Sequence, residues 1–216
     1  MLTPEPFRSF FQDIDRRWGT AREEKLRLRV IGSTALMLQT DYMRGTKDSD
    51  ILETTELAME DKNRLLELAG VRTAVAKRHR MYLEIVSNGL PFLPQSPHWH
   101  PLPELNPLLE HLTIEVLDVV DVVVSKLKRF SASDADDVRA MTEKGLVEHR
   151  RLIERFLSAV DVYGGDSRAE DLPKYVRNLH QVERDLLAVR ETEIELPAWK
   201  AADSPTRPFL HSRYVS

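Results

Sequence analysis

Asp48 and Asp50 stand either side of Ser49, and on an extended strand that spacing puts both carboxylates on one face, because successive side chains alternate sides. Such a pair offers two hard oxygen donors to a divalent cation. Magnesium or manganese suits carboxylates, and magnesium favours water and substrate phosphate oxygens over an all-protein cage, so the expected chemistry is metal-assisted handling of a phosphate. Just upstream, Val30-Ile31 runs into Gly32-Ser33 and a short helical segment. Glycine lets backbone approach a ligand closely, and a helix N-terminus presents N–H groups and a positive dipole end to an anion. Two-ion phosphoryl transfer needs one more carboxylate. Glu84 fits, since it lies in the strand-like run Met81-Tyr82-Leu83-Glu84-Ile85-Val86, where an acid among apolar neighbours is costly without a partner. Glu115, in Thr113-Ile114-Glu115-Val116, competes for that part.

Plainer readings stand beside these. A lone Asp-x-Asp also occurs as solvated carboxylates at a strand edge, and glycosyltransferases use such a pair. An EF-hand loop does not fit, because its later ligands and glycine are missing. Glu84 could be an edge-strand acid facing water, Lys126 a snorkelling lysine, and Ser133 or Asp134 a helix cap favoured by the dipole. His98-Trp99-His100 lacks a third ligand and reads as loop.

Gly32-Ser33, a spacer of fourteen residues and Asp48-x-Asp50 resemble the signature of the DNA polymerase beta-like nucleotidyltransferase superfamily. Within it, Arg44-x-Thr46-x-Asp48-x-Asp50 is most similar to small prokaryotic proteins of the abortive-infection toxin type. A second stretch, Ser125-Lys126-Leu127-Lys128-Arg129 followed by Asp134-Ala135-Asp136-Asp137, resembles the family's lysine-bearing helix and Asp-x-x-Asp helix start. Together the matches span about residues 26 to 142. The resemblance implies an α/β core, a small mixed sheet flanked by helices, placed over residues 1–118, and leaves the last third of the chain uncovered; there the switch to helical period after Leu117 predicts a C-terminal helical region with an extended tail over 119–216. The resemblance also implies a nucleoside triphosphate substrate, magnesium at Asp48, Asp50 and Glu84, and nucleotide contacts from Gly32, Ser33, Arg44, Thr46, Lys126 and Arg129, with Asp137 a buried partner for Lys126 or Arg129. The acceptor hydroxyl would belong to RNA, protein or a small molecule, and a cognate toxin or antitoxin would be a partner. A non-catalytic binding module of the same fold is the alternative. The family generally has an apolar residue where this chain has Ser49 and an aspartate where it has Glu84.

The elements that must position these residues follow from periodicity. Phe7, Phe10, Phe11, Ile14 and Trp18 recur at helical spacing over Pro6–Trp18. Leu26–Val30, Ser49–Glu53, Met81–Val86 and Leu112–Leu117 read as strands, and Thr34–Gln39 and Glu56–Leu68 as helices, the latter stopped by Gly70. Val119–Phe130, Ala135–Thr142, Val147–Tyr163 and Leu172–Val189 are helical by period, Lys126 and Arg129 sharing one face of the first. Residues 88–107 hold prolines at 91, 94, 97, 101, 103 and 107, which argues for a long irregular loop near the site. From Pro197 onward the chain reads as extended.

With 216 residues, 42% of them hydrophobic, the chain can bury a sizeable core. It has no cysteine, which excludes disulfides and thiolate metal sites and suits a cytoplasmic setting. No apolar run of about 18 residues predicts a membrane span. Thirty-one basic against 35 acidic residues, net charge -4, leave any RNA contact to local patches. The candidates are Lys77-Arg78-His79-Arg80, His149-Arg150-Arg151 and Arg207, His211 and Arg213.

Overall fold

The computed structural model describes residues 4–19, 24–45, 48–165 and 167–196. The chain forms five strands, β1 (Leu26–Val30), β2 (Asp48–Leu52), β3 (Tyr82–Val86), β4 (Trp99–Pro101) and β5 (Leu112–Leu117), and alternating burial is clearest in β1 and β5. They form one mixed sheet in the order β3-β2-β1-β5-β4, with β1 parallel to β5, β2 parallel to β3, and antiparallel pairing elsewhere. Paired residues share a face. Val30 opposite Ile51, Leu28 opposite Ile114 and Ser49 opposite Leu83 therefore turn into the core, where all six are almost wholly buried. Asp50 opposite Glu84 and Arg29 opposite Glu115 share the other face.

Helices α1 (Glu5–Trp18), α3 (Met59–Ala69) and α4 (Ala74–His79) pack on one another, and α3 and α4 against β3. The stripe predicted for α1 is fully buried, and Asp15 on the same helix accepts from the backbone N–H groups of Glu110, His111 and Leu112, fixing the entry to β5. Helix α2 (Gly32–Gln39) packs on β2, β5 and α5 (Val119–Lys126), and α5 in turn contacts α6 (Ala132–Glu143) and α7 (His149–Tyr163), with α8 (Leu172–Asp185) against α7.

Several elements depart from the periodicity. The proline-rich stretch is not wholly irregular, since Trp99–Pro101 pairs with β5 and Asn106–Leu108 makes a 3-10 turn. Both are compatible with proline: β4 is an edge strand, and Pro107 stands second in its turn, where the N–H has no partner within the turn. Helix α4, six residues long, is too short for a period to reveal, although Thr73 caps it by accepting from the Ala76 N–H. Helix α3 starts at Met59, α8 ends at Asp185, and α5 ends at Lys126, so Arg129 lies beyond its helix. Ser131 rather than Ser133 or Asp134 caps α6, and Asp134 completes the capping box from the N3 position. Thr46 and the segment from Pro197, with Arg207, His211 and Arg213, lie outside the described residues. Among the described residues no helix is long and apolar enough to cross a membrane.

Candidate active site

Strand phase places Asp48 and Asp50 together, and the parallel register of β2 with β3 sets Glu84 directly beside Asp50. One carboxylate oxygen from each of the three lies within 4.8 Å of the others, the one such gathering of potential metal-binding side chains among the described residues. Glu115 is elsewhere: its carboxylate meets Arg27 at 3.5 Å and Arg29 at 3.2 Å.

The electrostatics of the trio ask for a cation. Burial, then the charges of Asp48 and Glu84, push the Asp50 carboxyl up to about 6, although Lys126 and Arg129 pull it down. Three clustered anions with hard oxygens are the donor set that magnesium or manganese takes. Gly32 adds a steric observation. Its φ is +65°, and a Cβ built there would stand 2.8 Å from Asp50 Oδ2, so any side chain would press on the carboxylate and strain the backbone. The residues present thus fit a divalent ion.

Around them lies a cavity of about 470 Å³ whose wall includes Gly32 and Ser33 at the start of α2, Arg44, Lys126, Lys128 and Arg129. Of the residues expected to contact nucleotide, all but Thr46 therefore line one space with the three acids. The frame behind it converges on Asp137, which is wholly buried. Asp137 accepts from the Ser33 hydroxyl at 2.6 Å and the Tyr42 phenol at 2.7 Å, and pairs with Lys126 Nζ at 2.6 Å and Arg44 Nε at 3.1 Å. Burial, followed by the Asp137 hydrogen bond, pushes the Tyr42 phenol up to about 12. Ser33 Oγ also accepts from Arg44 Nη2 at 2.7 Å and Lys126 Nζ at 3.1 Å. That hydroxyl has one donor and two acceptor positions, all taken, so Ser33 has its backbone N–H, not its side chain, to offer a ligand.

Lys126 is buried, and its charge is balanced by Asp137 and, at 3.3 Å, by Asp134. Arg129 holds Asp134 through Nε at 2.8 Å and Nη2 at 3.1 Å while its side chain stays 74% exposed. Burial opposes the Asp134 charge, yet Arg129, Ser131 and Lys126 hold its carboxyl well below the usual range. One cavity thus holds an exposed guanidinium and the three carboxylates.

Tyr42 and the cavity-lining Pro91 carry no sequence signal, since both reach the site by tertiary contact. Two basic patches are largely structural. Arg78 and His79 pair with Asp13, while His149, Arg150 and Arg151 pair with Glu183, Glu154 and Asp118. His100 Nε2 also meets Asp118, at 2.9 Å.

A family model described as "Nucleotidyltransferase of unknown function (DUF6036)" matches residues 7–187. No curated protein and no solved structure matches the chain.

Proposed function

The chain belongs to that family of nucleotidyltransferases of unknown function, and from this premise we propose that it transfers a nucleotidyl group from a nucleoside triphosphate to a hydroxyl, with Asp48, Asp50 and Glu84 holding a divalent ion. The observation that carries the reading is the convergence of these three carboxylates within 4.8 Å on the cavity that also holds the start of α2 and Arg129. When bound, a divalent ion supplies charge neutralisation at phosphate oxygens and activation of a hydroxyl. In this reading the N–H groups at the start of α2 receive phosphate oxygens, as helix N-termini do. Arg129, already held flat by Asp134, presents its exposed guanidinium to the polyphosphate. Lys126 and Arg44 keep Ser33 and Asp137 in place. Positioning and preorganised charge are the main contributions a protein makes to phosphoryl transfer.

The resemblance to the polymerase beta-like superfamily supports the same assignment, and a toxin–antitoxin or phage-defence setting belongs to the proposal. Purified protein incubated with labelled triphosphates, magnesium, total RNA and a protein extract tests it. Label transfer that disappears in Glu84→Gln, while triphosphate affinity persists, is the expected result. Binding without transfer to any acceptor would leave a non-catalytic binding module as the better reading.

A further inference from the structure

The edge of the sheet at β3 is open. β3 pairs only with β2, and across that pair the Glu53 N–H donates to the Val86 carbonyl. Backbone groups alternate sides along a strand, so Tyr82, Glu84 and Val86 turn theirs toward β2 while Leu83 and Ile85 turn theirs outward. Among the described residues these outward groups have no hydrogen-bond partner. An edge of this kind is a template for one more strand.

A basic surface adjoins the start of the same edge. Val71, Arg72, Ala76, Lys77, Arg80 and Tyr82 line a cavity of about 300 Å³ that shares no residue with the cavity of the three carboxylates. Arg78 and His79 are tied to Asp13. Arg72, Lys77 and Arg80 are exposed instead, and among the described residues their side chains make no ion pair or hydrogen bond. Between these cations the floor is apolar, formed by exposed Val71 and half-buried Ala76 and Tyr82. Arg80 closes α4 at a φ of +54°, a position that glycine fills without strain. The turn itself therefore does not call for a cation.

We propose that the β3 edge and this basic cavity form one docking surface for an acidic, extended segment of a partner protein, with an apolar side chain of that segment seated between the cations. The inference is independent of the transferase reading. A polypeptide backbone matches both the N–H and the C=O groups of Leu83 and Ile85, whereas a phosphate backbone has no donor for the carbonyls. Three unmatched cations complement carboxylates, and the apolar floor receives the anchor that added strands set in pockets beside the edge. Phosphates running along the edge would also pass beside exposed Glu84, which disfavours a nucleic acid.

The test uses the whole chain and a fluorescein-labelled peptide, Asp-Asp-Leu-Asp-Val-Thr-Val-Thr, with the reversed sequence covering the opposite strand direction. Each is compared with a version carrying asparagine for aspartate. Fluorescence anisotropy should show binding of at least one acidic peptide, about tenfold weaker for its asparagine version, as loss of a charge-assisted hydrogen bond implies. Added salt should weaken it as well. Arg80→Gly should weaken binding about tenfold while keeping or raising the thermal midpoint, the reverse of what loss of a structural arginine would do. Ile85→Pro removes one outward donor and no bond to β2, so it should weaken binding similarly, a cooperative unfolding transition verifying its fold. Should that variant fail to fold, Arg80→Gly and the paired peptides decide alone. No binding up to about 1 mM peptide, equal binding of the aspartate and asparagine versions, or unchanged binding in either folded variant overturns the inference. A mixed-sequence RNA that displaces the peptide and loses affinity in Arg80→Gly but not in Ile85→Pro would assign the surface to nucleic acid and overturn it too. Self-association in sedimentation without peptide, abolished by both substitutions, would make the occupant a second copy and remove the partner.

Discussion

Replacing Asp50 by asparagine should stabilise the metal-free protein, although Asp50 sits in the middle of the candidate site. Its carboxyl titrates near 6 in the fold against an ordinary 3.8, the causes being burial and then the charges of Asp48 and Glu84. The difference is roughly 2 pH units, equivalent to about 3 kcal/mol at 1.36 kcal/mol per unit. Water in the open cavity screens part of this, so about 2 kcal/mol is expected. Because the folded value lies above the unfolded one, the folded state holds an extra proton between them. The parent therefore loses stability as pH rises from about 4 to about 6 and loses no more beyond it. The substituted amide carries no charge, so the advantage of Asp50→Asn should be small near pH 4.5, grow through about pH 6 and level off at about 2 kcal/mol by pH 8. Urea unfolding in chelator across that range, with parent subtracted from variant, cancels the titrating groups that do not interact with Asp50 and leaves the acid cluster as a unit. Saturating magnesium should reverse the order by stabilising the parent alone, since a ligand of the folded state adds to its stability. A variant less stable than the parent at high pH in chelator, or an advantage that does not depend on pH, would refute the argument that the three acids repel one another.

Other outcomes follow from single side chains. Gly32→Ala places a Cβ 2.8 Å from Asp50 Oδ2 at a φ of +65°; it should cost about 1–2 kcal/mol by thermal unfolding and weaken magnesium-dependent triphosphate binding measured by calorimetry. Lys126→Ala leaves the buried Asp137 short of its closest cation and should lose about 3–5 kcal/mol in urea unfolding, with Lys126→Arg recovering part of the loss. Ser49 is fully buried and its Oγ has no hydrogen-bond partner, so Ser49→Ala should gain about 1 kcal/mol by the same measurement and leave triphosphate affinity unchanged.

Short-range periodicity makes the sheet legible: the strands at Leu26–Val30 and Leu112–Leu117 lie where alternation puts them, Ser49–Glu53 shifts back by one residue, and Met81–Val86 loses only its first. The pairing of β2 with β3 is a long-range choice, and it is what distinguishes Glu84 from Glu115, two acids in similar strands. Ser49 reads as a departure from an apolar position, and the structure leaves it buried in that position. Lys126 and Arg129 read as one helical face because a period carries no record of where a helix stops. Here α5 ends at Lys126, and Phe130, at φ +49°, turns the chain toward α6. The Tyr42 bond to Asp137 spans 95 residues and has no local signature at all.

The carboxylate of Asp137 reaches back 104 residues to Ser33, and this fixes when, during synthesis, the site can exist. A nascent chain that has emerged only as far as β5 already carries Asp48, Asp50 and Glu84, but neither the lysine of α5 nor the acid of α6 that set the start of α2. Residues 1–118 therefore contain the anions without the frame that holds Ser33 at the start of α2. On the ribosome, the complete arrangement has to wait for α6 to dock, so an unfinished or truncated copy would carry the acids of the candidate site without its order.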